Sequence, residues 1–242
     1  MLCDNGISFL RIGNEFSCDE RFRPYLIDKV IEQYPKMVSV QQLIKDTQII
    51  VGTTSMIASK SYIFNLKHFD LAIIDEASQI LEPNLVGLLS MLKGNSPLPE
   101  GESGERGPKF ILIGDYKQLP AVVQQSEEDS KVVDPILNDI CLDNCRNSLF
   151  ERLIRWEYKN GREDFIGILR RQGRMHPDIA EFPNSHFYYR ENLECVPLEH
   201  QLDNSISHRM IFIPSKFCKQ PNISDKVNIE EARIVSRLLY KV

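Results

Sequence analysis

The sequence has no long apolar run, no paired cysteine motif and no excess of basic residues. No apolar stretch approaches the roughly 18 residues that span a bilayer, and the first ten residues carry no basic segment followed by a long apolar core. Among the six cysteines, Cys141 and Cys145 are the only close pair, and they form no CxxC motif, so we expect reduced thiols rather than a zinc site. The net charge of −5 excludes a globally basic nucleic-acid-binding surface, although a local groove is possible. We therefore expect a cytoplasmic protein, or a nuclear one in a eukaryote, with no membrane partner.

The most informative stretch is residues 69–79, FDLAIIDEASQ, where an apolar run ends in two carboxylates. The run at 71–74 does not alternate with polar residues, which is typical of a strand buried on both faces of a parallel sheet. Ligands bind beyond the carboxyl ends of such strands, and acids placed there need a cation or a proton to offset their desolvation. Asp75 could hold Mg²⁺ while Glu76 takes a proton from an attacking water, as phosphate chemistry requires. The alternative is a strand end whose acids are only solvated or cap the next helix.

A second strand end repeats this arrangement. The apolar run at 110–113 ends in Gly114 and Asp115, and Gln118 follows the acid by three residues, much as Gln79 follows the first acidic pair. Parallel strands place their carboxyl ends side by side, so both polar groups should lie on one edge of the sheet. Gly114 would allow a tight turn, and Gln118 could contact the terminal phosphate or the attacking water.

Three hydroxyl residues, Thr53, Thr54 and Ser55, follow a short predicted strand at 48–51 that Gly52 stops. Hydroxyl and backbone N–H groups at such a turn suit phosphate oxygens, which position a nucleic-acid strand without reading its bases. The alternative is that these residues only cap the next helix.

A group of three arginines, Arg170, Arg171 and Arg174, follows a predicted strand at 165–169. They suggest an anion site, with salt bridges to the acidic edge as the alternative. The polar turn at 160–161 before this strand marks a predicted domain boundary. Helices are also predicted at 19–34, 83–92, 129–143 and 148–157, the last with Ser148 as its N-cap. Further helices are predicted to begin at Ser39, at Pro177, with a cut or kink at Pro183, and at Asn228. The remaining predicted elements are a loop at 93–108 and a strand at 210–213.

The ordered motifs TTS, DEASQ, GDYKQLP, SLFERL and RRQGRMHP resemble the superfamily 1 helicases, in the branch that contains the nonsense-mediated-decay RNA helicase and related nuclease-helicases. The resemblance covers residues 51–189. It implies an α/β fold with parallel sheets, in which two RecA-like domains of the P-loop NTPase type close on ATP while single-stranded DNA or RNA lies across both. Residues 1–164 would form most of the first motor domain, with a helical insertion near 19–46, and 165–242 would begin the second.

The resemblance also implies roles for residues of the first domain. Asp75 would coordinate Mg²⁺, Glu76 would activate the hydrolytic water, and Gln79 would belong to the same nucleotide-sensing edge. Gln118 would contact the region of the γ-phosphate and couple it to the groove that binds the strand. Gly114 and Asp115 belong to the same ATP-binding set, and Thr53, Thr54 and Ser55 would contact nucleic acid.

In the second domain, Arg174 matches the arginine that reaches across the domain gap to the γ-phosphate and stabilises charge in the transition state. Gln172 belongs to the same motif and would contact the nucleotide. Gly173 stands where the family has an aromatic residue that would stack on adenine, so base recognition is expected to be weaker or supplied from elsewhere.

The sequence departs further from the family because it contains no GxxxxGK[ST] phosphate loop. We expect an internal fragment or truncated form of an ATP-dependent helicase or translocase that is inactive alone, with self-association through sheet surface exposed by truncation. One alternative is a non-catalytic nucleic-acid-binding or regulatory module derived from a helicase. Another is a two-metal nuclease built on Asp75, Glu76 and Asp115, which leaves Gln79 and Gln118 unexplained.

Overall fold

The computed structural model describes residues 2–34, 37–92, 109–198, 209–216 and 227–240. The chain packs as two units, Met1–Ile166 and Gly167–Val242. The strands pair in parallel within small sheets and alternate with helices, which confirms the predicted α/β fold class. The assignment of residues 1–164 and 165–242 to a first and a second motor domain stays a prediction. No helix in the described part of the chain has the length and apolar character needed to cross a bilayer.

The first strand pair of the Met1–Ile166 unit joins β1 (Leu10–Ile12) to β2 (Ile50–Gly52) in parallel. The chain passes between them through 3-10 helices at Glu15–Ser17 and Glu20–Tyr25, then α1 (Ile27–Ile31) and α2 (Met37–Asp46). Strand β1 was not predicted. The core beneath this pair consists of buried aliphatic side chains: Leu10, Ile12, Ile27, Val40, Ile44 and Ile63.

The predicted continuous helix at 19–34 is wrong. Leu26 separates the 3-10 helix from α1 in an extended conformation and forms a parallel bridge with Arg11 of β1. Leu26 is also almost completely buried. Pairing with a strand distant in sequence therefore overrides the local helical pattern.

The second strand pair joins β3 (Leu71–Ile74) to β4 (Lys109–Leu112), again in parallel, with Leu71 opposite Lys109 and Ile74 opposite Leu112. One face packs against α5 (Glu82–Leu89) and α7 (Leu149–Lys159). The buried side chains of this core are Ile74, Ala77, Leu85, Leu88 and Leu149. Two short helices, α3 (Thr54–Ser59) and α4 (Ile63–Leu66), follow β2, and Ile57 of α3 packs against both cores.

The prediction that β3 is buried on both faces is wrong. Leu71 and Ile73 are 46% and 64% exposed, and Ile111 of β4 is 49% exposed. These side chains point away from α5 and α7, because alternate residues of a strand face opposite sides. The uninterrupted apolar sequence therefore leaves an exposed apolar face in this chain.

The predicted helix at 129–143 is also wrong, since only α6 (Pro135–Asp139) forms there. Pro135 disfavours helical geometry at the preceding residue, so Asp134 is extended and caps the helix by accepting the Ile136 N–H at 2.8 Å. The predicted helix at 148–157 is confirmed as α7, and Ser148 Oγ accepts the Glu151 N–H at 3.2 Å. The predicted loop at 93–108 lies outside the described residues.

The Gly167–Val242 unit contains β5 (Arg171–Gln172) paired in parallel with β6 (Glu194–Cys195). The predicted strand at 165–169 is wrong: a 3-10 helix covers Glu163–Phe165, and the pairing partner β6 lies opposite residues 171–172 instead. The predicted strand at 210–213 is absent from the described segment 209–216. Helix α8 (Pro177–His186) continues through Pro183 and is not cut there. Helix α9 (Ile229–Leu239) begins after Asn228, where a helix start was predicted, and the Asn228 side chain accepts the Glu230 and Glu231 N–H groups.

Candidate functional site

The carboxyl edge of the β3–β4 pair brings the two acid-and-amide motifs together. Ile113 N–H donates to the Ile74 carbonyl at 2.8 Å, and Ala77 N–H donates to the Ile113 carbonyl at 2.8 Å, so strand-like bonding extends past the end of β4. Ser78 Oγ then accepts the Asp115 N–H at 3.2 Å. The buried Ser78 side chain thereby links the first motif to the second. Sequence reasoning missed Ser78, because nothing in the motif indicates which neighbour its hydroxyl contacts.

Gly114 is required here by close packing. A Cβ at this position would lie 2.9 Å from Ser78 N and 3.1 Å from Ser78 Oγ. The sequence suggested a tight turn, whereas the structure shows that the two motif backbones approach too closely for any side chain.

Each glutamine of these motifs donates to the acid three residues before it. Gln79 Nε2 lies 3.3 Å from Glu76 Oε2, and Gln118 Nε2 lies 2.9 Å from Asp115 Oδ2. Asp75 Oδ1 accepts the Glu76 N–H at 3.0 Å. The carboxylates are therefore oriented by N–H donors, and those of Asp75 and Glu76 remain at the surface, where a ligand can reach them, whereas Asp115 is half-buried.

Glu76 has a backbone φ of 52°, in the left-handed region that non-glycine residues rarely adopt. This conformation turns the chain directly after Asp75 and starts the 3-10 helix at Ala77–Gln79. Strained backbone of this kind is concentrated at functional sites, where the surrounding structure holds it in place. No sequence signal predicts it, because glutamate has no preference for this conformation.

The acidic edge fits Mg²⁺ only as an ion shared with a phosphate ligand. Within the described ranges, no group of three or more histidine, cysteine, aspartate or glutamate residues could hold a metal. Asp75 offers one hard carboxylate ligand, and Mg²⁺ is commonly held by one or two carboxylates together with substrate phosphates. The predicted Mg²⁺ role of Asp75 stays a prediction on this geometry.

The hydroxyl residues lie at the carboxyl edge of the other strand pair. Thr53 is the N-cap of α3, and its Oγ1 accepts the Met56 N–H at 3.3 Å. The capping interpretation therefore holds for Thr53. Its hydroxyl proton is still available as a donor, because the capping bond uses Oγ1 only as an acceptor. Thr54 and Ser55 form the first turn of α3, and the contacts predicted for them with nucleic acid stay predictions.

In the second unit, the side chain of Gln172 organises the motif that contains Arg174. Gln172 Oε1 accepts the N–H groups of Arg174 and Met175 at 3.0 and 2.8 Å. Gln172 Nε2 donates to the Met175 carbonyl at 3.0 Å and to Cys195 Sγ at 2.8 Å. Both ends of the amide thus already bond within the chain, which makes Gln172 a turn-forming residue as well as a predicted nucleotide contact.

Arg174 itself is exposed, and its guanidinium makes no ion pair with an acid of the described segments. The salt-bridge alternative for Arg174 therefore finds no partner among them. A Cβ on Gly173 would lie 3.2 Å from Leu198 Cδ1, so an aromatic side chain there would require Leu198 to move. The glycine at this position matches its local packing.

Comparison with known proteins identifies the family. Two family models, each described as an AAA domain, match residues 26–126 and 145–242. An uncharacterised ATP-dependent helicase of Methanocaldococcus jannaschii is 30% identical over 220 residues, covering 84% of this chain and 28% of that protein. The probable helicase MAGATAMA 3 of Arabidopsis thaliana is 30% identical over 148 residues, covering 60% and 14% of the two chains. The DNA replication ATP-dependent helicase/nuclease of Gallus gallus is 28% identical over 190 residues, covering 78% and 16%.

The chain belongs to the superfamily 1 helicases. Its fold class is the α/β architecture of RecA-like P-loop NTPase domains, as the sequence motifs predicted. The chain spans 28% of the length of the archaeal relative and 14% and 16% of the other two.

Proposed function

We propose that this chain is part of an ATP-dependent helicase or translocase that couples Mg-ATP hydrolysis to movement on single-stranded DNA or RNA. The main supporting observation is the hydrogen bond from Asp115 N–H to Ser78 Oγ, which holds two acid-and-amide motifs at one sheet edge. The relatives named as ATP-dependent helicases support ATP as the nucleotide. We place such a motor in the cytoplasm or nucleus.

In this proposal the acidic edge carries out hydrolysis. Asp75 would hold Mg²⁺ through its carboxylate, and the bound ion would supply positive charge to the phosphate oxygens. Glu76 accepts the proton of the attacking water, and the bond from Gln79 Nε2 to Glu76 Oε2 keeps the carboxylate oriented while its second oxygen acts as the base. Gln118 and Asp115 respond to the γ-phosphate as a hydrogen-bonded pair, next to the close backbone approach at Gly114.

The second unit supplies charge to the same reaction. Arg174 stabilises the transition state from across the domain gap, and Gln172 fixes the turn that presents it. Such an arginine acts only when the domains close, so hydrolysis depends on what is bound between them. Among the described residues, no acid pairs with the exposed guanidinium of Arg174, and this observation supports the proposed role.

The nucleic-acid contacts of this proposal are Thr53, Thr54 and Ser55. Their hydroxyl groups donate to backbone phosphates, which positions a single strand without reading its sequence. Contacts of this kind do not distinguish DNA from RNA, because no group in this set addresses the 2′-hydroxyl.

The direct test is Glu76→Gln in the full-length protein, with strand-stimulated ATP hydrolysis as the readout. Removal of a general base should lower the turnover rate by about 10²-fold or more, while nucleic-acid binding persists. Glu32→Gln, at an exposed glutamate of the same unit, is the matched control and should leave turnover unchanged. Wild-type turnover by the Glu76→Gln variant would show that the proposed base is wrong.

The 242-residue chain alone should neither bind Mg-ATP tightly nor hydrolyse it, because its sequence contains no GxxxxGK[ST] cradle for the phosphates. Isothermal titration with Mg-ATP and a phosphate-release assay measure both properties. Strand-stimulated turnover by this chain, lost in Glu76→Gln, would contradict the prediction.

A second candidate function is a non-catalytic nucleic-acid-binding or regulatory module. The neighbouring gene sequence discriminates between the two functions. A phosphate loop encoded upstream in the same reading frame restores the enzyme, whereas a gene without one supports the module.

We also propose that copies of this chain associate through the exposed face of β3–β4. That face presents Leu71, Ile73, Ile111 and Ile113, each more than 40% exposed. An exposed apolar sheet surface of this kind promotes association. Light scattering should show more than a monomer, and Ile73→Lys should shift the chain towards the monomer. A clean monomer in the wild type would count against the proposal.

A further inference from the structure

A cavity with a cationic lining lies at the carboxyl end of the β1–β2 pair. Its volume is about 390 Å³, within the range of small-ligand sites, which begins at about 300 Å³. The polar side chains that line it are Arg11, Asn14, Ser17 and Thr53, and the lining contains no acid. The cavity is separate from the acidic edge, which lies on the other strand pair.

Arg11 is the unusual residue of this lining. It sits in the middle of β1, opposite Val51, and its side chain points away from the core that holds Leu10 and Ile12. Its Nε is buried and has no hydrogen-bond partner, and no acid of the described segments pairs with its guanidinium. The guanidinium therefore has no acceptor among the described residues, and because Arg11 lines the cavity, a ligand there can supply the acceptor that the protein does not.

The neighbouring polar groups also offer donors. Thr53 Oγ1 accepts the Met56 N–H, which leaves its own proton to donate. Asn14 Oδ1 accepts the Phe16 N–H at 2.8 Å, which leaves its amide nitrogen available. Ser17 Oγ already donates its proton to the Asn14 carbonyl at 3.3 Å, so this proton is less available to a ligand. One positive charge and several donors without a competing acid form a lining suited to an oxyanion.

We propose that this cavity binds a phosphate group through Arg11, Asn14 and Thr53, and that the group is a backbone phosphodiester of single-stranded nucleic acid. The assignment to nucleic acid rests on the proposed function, because Thr53 belongs both to the cavity and to the hydroxyl residues assigned to the strand. A guanidinium matches phosphate oxygens in a bidentate arrangement, and such a contact fixes the register of the strand. Free phosphate has the same chemistry, and the experiment separates the two sources.

The first measurement is the affinity of the 242-residue chain for fluorescein-labelled oligothymidylate and oligouridylate, by fluorescence anisotropy at increasing salt. Arg11→Gln should weaken binding several-fold and lower the slope of log affinity against log salt by about 1, as expected for one lost phosphate contact. Arg11→Lys should retain part of the affinity. Arg21→Gln is the matched control, because Arg21 is 77% exposed, pairs with Asp19 and lies outside the cavity.

The second measurement is the Tm of the same variants with added inorganic phosphate. Phosphate should raise the Tm of the wild type more than that of Arg11→Gln. Without phosphate, Arg11→Gln and Arg11→Met should melt no lower than the wild type, because each removes an unsatisfied buried donor. A large fall in Tm for both variants would assign Arg11 to structure and overturn the site.

The remaining outcomes separate the ligand from the site. Equal oligonucleotide affinity, salt slope and phosphate response in wild type and Arg11→Gln would overturn the anion site. A phosphate response that needs Arg11, with oligonucleotide binding that does not, would overturn the phosphodiester assignment. The same phosphate response in a chain that binds no oligonucleotide would overturn that assignment and also the nucleic-acid part of the proposed function.

Discussion

The two strand pairs of the Met1–Ile166 unit are built alike but are held together differently. Both are short parallel pairs, and in both a glycine at the carboxyl end allows close backbone approach. The β1–β2 pair packs on a cluster of buried aliphatic side chains. Polar contacts join the elements around both pairs, but the Glu82–Arg152 ion pair beside β3–β4 is largely buried, whereas Asp28 in the Asp28–Lys60 pair beside β1–β2 is 62% exposed.

The two carboxyl edges also differ in the sign of their charge. The β3–β4 edge presents carboxylates, of which Asp75 and Glu76 lie at the surface, and it suits a cation. The β1–β2 edge presents Arg11 and hydroxyl donors, and it suits an anion. Two similar strand pairs can thus present opposite charges at their carboxyl edges, because a few polar side chains, those that follow β3 and β4 and Arg11 within β1, decide what each edge binds.

The largest expected effect comes from breaking the ion pair beside β3–β4. Arg152 Nη2 lies 2.6 Å from Glu82 Oε1, and the two side chains are only 14% and 15% exposed. Arg152→Met leaves the Glu82 carboxylate without its partner, so we expect a loss of about 3 kcal/mol in the free energy of unfolding. Urea denaturation followed by circular dichroism measures this loss.

A double variant tests the reason for that loss. Glu82→Leu with Arg152→Met replaces the pair by apolar groups and should recover most of the lost stability. Ile44→Val in the core under β1–β2 should cost about 1 kcal/mol and serves as the apolar reference. If Arg152→Met lowers the free energy of unfolding no more than Ile44→Val does, the ion pair does not distinguish the β3–β4 pair from the β1–β2 pair.

The second prediction concerns the glycine at each edge. A Cβ on Gly114 would meet Ser78 N at 2.9 Å, and one on Gly52 would meet the Ile12 carbonyl oxygen at 2.9 Å. Because backbone must move in both cases, Gly114→Ala and Gly52→Ala should each destabilise by about 2 kcal/mol. Thermal unfolding monitored by circular dichroism measures both.

Gly87 supplies the matched control, since a Cβ there meets nothing within 4 Å and the residue lies in α5. Gly87→Ala should stabilise by up to about 1 kcal/mol, because alanine favours the helix. Gly114→Ala alone should also impair the proposed ATP hydrolysis of the full-length protein. If Gly114→Ala changed neither the stability nor the hydrolysis rate, the motifs at 75–79 and 114–118 would not need their close backbone approach.

The location of the two acid-and-amide motifs could be predicted from the sequence because it depends on local order. Acids and amides placed directly after apolar runs must lie at strand ends, and the structure brings 75–79 and 114–118 together. The N-caps Ser148 and Asn228 were equally predictable, because a cap depends only on residues within one helical turn.

The features that could not be predicted depend on contacts between residues far apart in the chain. Leu26 leaves the helix in order to pair with Arg11, and β5 forms at 171–172 because β6 lies opposite that position. No local pattern encodes either choice. The exposed face of β3–β4 and the unpartnered Arg11 likewise become visible only when the packing around each side chain is known.

The third prediction compares two buried serines around β3–β4. Ser148 caps α7, and Ser78 accepts the Asp115 N–H. Ser148→Ala and Ser78→Ala should each cost about 1 kcal/mol in chemical denaturation, by loss of a cap and of a buried acceptor respectively. In the full-length protein, only Ser78→Ala should also slow the proposed ATP hydrolysis. Equal turnover in the two variants would show that the Ser78 contact has no role at the acidic edge.

The smallest expected effect is a pH dependence from the ion pair between Asp143 and Arg155. The hydrogen bond from Arg155 lowers the pKa of Asp143 below its ordinary value of 3.8. A carboxyl whose folded pKa is depressed stabilises the fold above its unfolded pKa, and this contribution disappears as the pH falls through the folded pKa. Because both side chains are more than one third exposed, solvent screening limits the contribution to about 0.5 kcal/mol.

Asp143→Asn should therefore lower the free energy of unfolding slightly at pH 6 and have no effect at pH 2, as measured by urea denaturation at both values. Glu151 acts in the opposite direction, since burial raises its pKa and protonation at low pH then favours the folded state. The measurement is best made in a Glu151→Gln background, which removes this opposing contribution. If Asp143→Asn costs as much at pH 2 as at pH 6, the loss comes from packing of the neutral amide, because an ion pair cannot contribute where the carboxyl is protonated.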